Sequence, residues 1–91
     1  MNGRDATESK KELGEYMTAK VVKRTDKTEF WMVESAHHDG VVLGFVKWNP
    51  AWRQYCFFPH EETVFSVGCL REIENLVEGL NKKHKNKPKT S

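Results

Sequence analysis

Apolar and polar positions follow two different periods along this chain. Met17 to Arg24 alternates, with Ala19, Val21 and Lys23 on one side and Lys20 and Val22 on the other. Alternation of this kind predicts a strand. Thr25 to Thr28 reads as a turn, and Thr28 to Ser35 is rich in aromatic and β-branched residues. His38-Asp39-Gly40 supplies a second turn, since Asp-Gly favours a tight hairpin. Val41 to Trp48 follows as a third strand. Pro50 lacks an N–H and constrains Asn49, so the strand stops there. Trp52 to Phe58 is a fourth strand, ended by Pro59. The period then lengthens. Val67, Leu70, Ile73, Leu76, Val77 and Leu80 recur at three- and four-residue steps, which predicts an amphipathic helix. Ser66 is its cap, with Phe65 and Leu70 at staple positions. The expected fold is α+β: a four-stranded antiparallel meander with one C-terminal amphipathic helix on a face, ββββα.

Pairing the strands with short turns predicts the two faces. Two-residue turns at Asp26-Lys27 and Asp39-Gly40, and a three-residue loop at 49–51, set Val22 against Trp31, Trp31 against Trp48 and Trp48 against Trp52. The three tryptophans then form one row, together with Val33, Val42, Gly44, Val46, Cys56 and Phe58. Ala19, Val21, Phe30, Met32, Leu43, Phe45, Tyr55 and Phe57 fall on the opposite face, as do Lys47 and Arg53. A slip of one residue would invert any strand. Both faces are apolar, yet one helix covers only one of them. An exposed apolar face calls for a covering partner, and a homodimer through the sheet is the first expectation. A tightly curled sheet that buries its own tryptophans is the second.

Residues 1–15 are polar and read as a flexible N-terminal segment, with Thr7 to Glu12 able to form a short, fraying helix. Residues 16–83 form the single expected domain, and 84–91, with Pro88 and no apolar side chain, the expected disordered basic tail. Charge sharpens this division. The 91 residues carry a net +2, but Lys82, Lys83, Lys85, Lys87 and Lys89 all lie in the last ten. The rest holds ten basic and thirteen acidic side chains and is net −3. The basic pI of the whole is therefore no sign of a basic face on the domain. No apolar run reaches the ~20 residues of a membrane helix. The polar stretch from Met1 to Lys11 carries no signal-peptide pattern. A cytoplasmic protein is expected.

Candidate chemistry is sparse. Cys56 and Cys69 make no disulfide framework, and with His60 they match no zinc spacing. His37, His38 and Asp39 meet at a hairpin tip, where neighbouring side chains point apart. His60, Glu61 and Glu62 sit in a loop with no accompanying cleft. No metal, cofactor or catalytic residue is expected, and the protein reads as a non-enzyme. The densest feature is Lys47 to Tyr55, which mixes rings with cations. Such a mixture suits a protein hot spot, a single-stranded nucleic-acid or nucleotide site, or a hairpin stapled by its own tryptophans. Trp31, Trp48, Trp52, Arg53, Tyr55 and Lys47 are accordingly the candidate interaction or dimer face.

The segment Gly44 to Ile73 resembles small proteins of unassigned function found in bacteriophage genomes. The resemblance rests on Gly44-Phe45-Val46-Lys47-Trp48, on Trp52-Arg53-Gln54-Tyr55-Cys56-Phe57-Phe58-Pro59, on Thr63-Val64-Phe65, and on Cys69-Leu70-Arg71-Glu72-Ile73. It covers about a third of the chain and carries over no catalytic residue. It implies a phage-type accessory protein that works by binding in a bacterial host's cytoplasm. The function expected is binding and modulation of a host macromolecule through protein–protein contact. The alternative is single-stranded nucleic-acid or nucleotide binding through the Trp48–Tyr55 hairpin and the lysine-rich tail.

Overall fold

The computed structural model describes residues 9–38 and 40–85. Five strands precede one helix: β1 Lys10–Leu13, β2 Met17–Arg24, β3 Glu29–Ser35, β4 Val42–Asn49, β5 Gln54–Pro59 and α1 Val67–Lys85. The sheet is an antiparallel meander in sequence order. The α+β class and the helix agree with the sequence reading, but there are five strands rather than four. The extra strand is Lys10–Leu13, where a fraying helix was expected through Glu12. It pairs Lys11 with Ala19 and Leu13 with Met17. Gly14 turns the chain at φ +67°, a left-handed conformation that suits glycine. Leu13, the one apolar residue of β1, is buried in the core.

The turns follow their residues closely. Thr25 Oγ1 accepts the N–H groups of Lys27 and Thr28, and Thr25 N–H donates to Thr28 O, so the turn closes on itself. Asn49 Oδ1 accepts from Ala51 and Trp52, which bends the chain at Pro50. Ser66 Oγ accepts Cys69 N–H at 3.2 Å and caps α1 as expected. Phe65 turns to Phe57, ring centroids 5.4 Å apart, and Leu70 is half exposed. The apolar stripe of α1 correspondingly starts later than its spacing suggests. Val67 lies in solvent, while Ile73, Leu76 and Leu80 are buried, with Cys69 and Val77 alongside. Each of the three buried residues contributes roughly 1.5–3 kcal/mol by leaving water.

Register decides what the helix covers. Lys23 pairs with Phe30, but Val21 pairs with Trp31, so a bulge takes up Val22. Trp31 pairs with Val46, and Trp48 with Tyr55. The helix-covered face therefore holds Met17, Ala19, Val21, Trp31, Val33, Gly44, Val46, Trp48, Tyr55 and Phe57. The expected tryptophan row does not form. Ala19, Val21, Tyr55 and Phe57 lie with Trp31 rather than opposite it, while Cys56 and Phe58 lie opposite. Trp52 stands in the turn, 68 % exposed. The loop is Pro50–Arg53, not 49–51, and Arg53 adopts φ +58° with its N–H on Asn49 O at 2.7 Å.

One polar side chain joins the last turns of α1 to β5. Asn81 Oδ1 accepts Tyr55 N–H at 2.6 Å, and Asn81 Nδ2 donates to Tyr55 O at 3.4 Å. The amide thus satisfies both backbone groups of Tyr55. Asn81→Ala leaves a partly buried donor and acceptor unmet, and should cost about 1–3 kcal/mol in urea denaturation.

Candidate binding surface

The residues singled out by sequence separate into three places. Trp31 is core, 2 % exposed. Trp48 and Tyr55 pack edge to face at 5.5 Å under the helix end. Trp52 and Arg53 project from the β4–β5 turn, and Lys47 lies on the other side of the sheet. They do not form one site. Of the tail lysines, Lys82, Lys83 and Lys85 are the last residues of α1, and His84 belongs there too. The helix therefore runs two residues into the segment expected to be disordered from 84. Lys87 and Lys89 lie outside the described residues.

The other candidates are spread over loops. His37 and His38 are exposed, with their N–H groups on Ser35 Oγ, and Asp39 lies outside the described residues. His60 donates its N–H to Leu43 O, and Glu61 and Glu62 are exposed. Cys56 and Cys69 are free thiols on opposite sides of the sheet. Among the described residues no three His, Cys, Asp or Glu side chains gather as metal ligands. No helix among them is long and apolar enough to cross a membrane.

The sheet face turned away from α1 has a composition of its own. One cross-strand row runs Lys10, Lys20, Met32, Phe45, Phe58 through all five strands. The next row holds Lys23, Phe30, Lys47 and Cys56. Phe30 and Phe45 stack with centroids 5.3 Å apart. The Lys47 ammonium sits 4.7 Å from the Phe58 ring centre and 5.9 Å from that of Phe30. These rings are half-buried by each other, and no other described element covers them. A groove of about 280 Å³ opens at the end of the face, lined by Lys23, Thr25, Thr28, Phe30 and Lys47 together with Glu29 and Trp48. Two carboxylates share the face, Glu12 and Glu34, on the row of Thr18. Glu34 is 3.5 Å from Lys20.

Beneath this groove, on the helix side, Glu29 organises the sheet end. Its carboxylate accepts from Trp31 Nε1 at 2.9 Å and Arg24 Nε at 3.1 Å, with Lys83 Nζ at 3.8 Å. Its N–H donates to Tyr55 Oη at 3.0 Å. Burial pushes the Glu29 carboxyl up, but the Trp31 and Arg24 donors and the Lys83 and Arg24 charges outweigh it. The net effect holds the group below its ordinary value of 4.5. For Tyr55 burial is the leading cause, and it pushes the phenol above 10.0. A carboxyl held down in the folded state adds stability that is fully present above its unfolded value and is lost as pH falls through the folded one. Glu29→Gln should therefore be less stable than the parent at neutral pH. The gap should close as pH drops below 4.5, followed by urea midpoints across that range. A gap that stays constant with pH would show that the carboxylate charge contributes nothing.

Sequence reasoning put Lys47 opposite the tryptophans, on the face of Phe30 and Phe45, but did not read that face as the site. It set Phe30, Met32 and Phe45 together, yet placed Phe58 across the sheet. It missed His84, whose ring lies 4.4 Å from Trp48 with Nδ1 buried and without a hydrogen-bond partner. A histidine followed only by polar residues gives no periodic signal. Comparison with known proteins finds no match to this chain among family models, curated proteins or solved structures.

Proposed function

We propose that the protein acts without catalysis, by binding a macromolecule on the open face of its sheet. The observation that supports this is the cluster Phe30, Phe45, Phe58 and Lys47, left uncovered by the single helix. Sheets that meet water on one side normally present polar side chains there, and aromatic clusters at a surface are the usual anchors of recognition. The bacteriophage resemblance of Gly44 to Ile73 adds the setting: an accessory protein that modulates a component of a bacterial host. This keeps the binding role expected from sequence and moves its location from the tryptophans to the phenylalanines.

The test is capture from bacterial lysate with the parent protein and with Phe30→Ser/Phe58→Ser. Near-UV circular dichroism verifies that the variant is folded. Material held by the parent and released by the variant is the expected result. Equal retention by both, or loss only on Trp52→Ala, would move the site away from this face.

A further inference from the structure

Resting on that reading of the open face, we propose that its ligand is single-stranded nucleic acid, with bases on the phenylalanine rings and phosphates on Lys20, Lys23 and Lys47. Rings and cations converge here, as they do not at the Trp48–Tyr55 hairpin. The long row grades from Lys10 and Lys20 at one edge to Phe45 and Phe58 at the other. A strand laid across the row near Met32 meets ammonium groups on one side and π-faces on the other. Base–aromatic stacking with a flanking basic groove is the general means of holding single strands. Lys47 now occupies the Phe58 ring, but an exposed cation–π contact is weak. Its flexible stem lets it exchange that ring for a phosphate and free the ring for a base. The Lys20–Glu34 contact is long, at 3.5 Å, with the lysine exposed, and is equally exchangeable. The groove beside Phe30 has Lys23 on its wall as a further donor to a backbone phosphate, and the carboxylate that also lines it, Glu29, is already engaged by Trp31, Arg24 and Lys83.

Charge also separates this occupant from a protein. All the cations on the face are lysines, which are depleted at protein interface cores, where arginine is enriched. A second copy packed face to face about a two-fold axis through the patch centre would bring two Lys47 side chains into one apolar interface. The carboxylates of the face, Glu12 and Glu34, lie two rows from Lys47 and do not answer its charge. A polyanion does.

The experiment is fluorescence anisotropy of a labelled oligo-dT of about 12 nucleotides, with the duplex of the same length as control. Single strand should bind and duplex should bind more weakly. With about three phosphates neutralised, affinity should fall roughly 20-fold between about 50 and 200 mM salt. Phe58→Ala or Phe30→Ala should weaken binding at least about fivefold. Lys47→Gln, an exposed change that spares the fold, should reduce the salt slope by about 0.7. A chain lacking residues 86–91 should retain these effects. Binding lost with 86–91 but indifferent to Phe30, Phe58 and Lys47 would overturn the proposal in favour of a nonspecific tail contact. No binding at low salt would also overturn it. In that case light scattering at twice the monomer mass would assign the face to a second copy. Loss of a captured protein on Phe30→Ser/Phe58→Ser would instead assign it to a protein partner, and the open-face reading would stand.

Discussion

Trp31→Ala should remove about 3–5 kcal/mol of folding stability, the usual range for truncating a buried tryptophan. The side chain is 2 % exposed and sits beneath α1 among Val21, Val46 and Leu80. Its loss leaves a cavity that the ladders on both sides of β3 prevent from closing. It also takes one of the donors from the Glu29 carboxylate. A domain of this length has roughly 5–14 kcal/mol in total, so the variant should lose about a fifth of it or more. Trp52→Ala, in solvent, should stay within about 0.5 kcal/mol of the parent. Trp48→Ala should fall between, since its ring rests on Tyr55 and His84 at one end of the core. Urea midpoints of the three variants measure the order directly. Equal costs would restore the single tryptophan row that the register excludes.

Gly44→Ala should be the second large effect, at about 2–3 kcal/mol for adding one methyl. A Cβ at Gly44 would lie 2.5 Å from Phe57 Cζ and 2.8 Å from the backbone oxygen of Phe58. The Phe57 ring lies over the glycine and is backed by Phe65. It can move only by giving up that contact. The Phe58 carbonyl belongs to β5, paired with β4 from Asn49 to Gly44, so it cannot retreat without opening the ladder. The double variant Gly44→Ala/Phe57→Ala should therefore recover none of the backbone clash, and its cost should exceed that of Phe57→Ala alone. Full relief in the double variant would show that the ring alone sets the constraint.

What was legible from the sequence, and what was not, divides along the same lines. The turn at Thr25 to Thr28, the stop at Pro50 and the Ser66 cap are made by side chains bonding their near neighbours. Local residues suffice to announce them. The faces of β3 and β4 were also legible outside the bulge near Val42 and Leu43. Those of β2 and β5 were inverted. Lys23 opposite Phe30 is the pairing that a two-residue turn dictates, and the bulge at Val22 then shifts everything beyond it. No glycine or proline marks that bulge. At the other hairpin, Arg53 takes a left-handed conformation without being glycine, so the longer loop had no signature. Strand β1 was invisible because its four residues contain one apolar side chain. It forms because Gly14 folds it back on β2, a condition set by the turn and not by the strand. The binding surface inherits these errors. Its phenylalanines come together only when β5 is read in the observed register, and Lys10 and Lys20 join them only when β1 and the bulge are in place.

The pairing of Asn81 with Tyr55 has a consequence for how the sheet meets other chains. Strand β5 is an outer strand, and its outward backbone groups would be a template for cross-β growth. Tyr55 presents its N–H and C=O outward but to Asn81, and alternation makes Phe57 the next outward residue. Pro59, two further, has no N–H to offer. A visiting strand thus finds a single donor along the edge. That protection belongs to the helix and not to the strand. When the last turns of α1 fray, Asn81 leaves, and two adjacent outward positions become available together. Aggregation of this protein should start from helix-end opening, and its rate should follow the docking of residues 80–85 more closely than global unfolding.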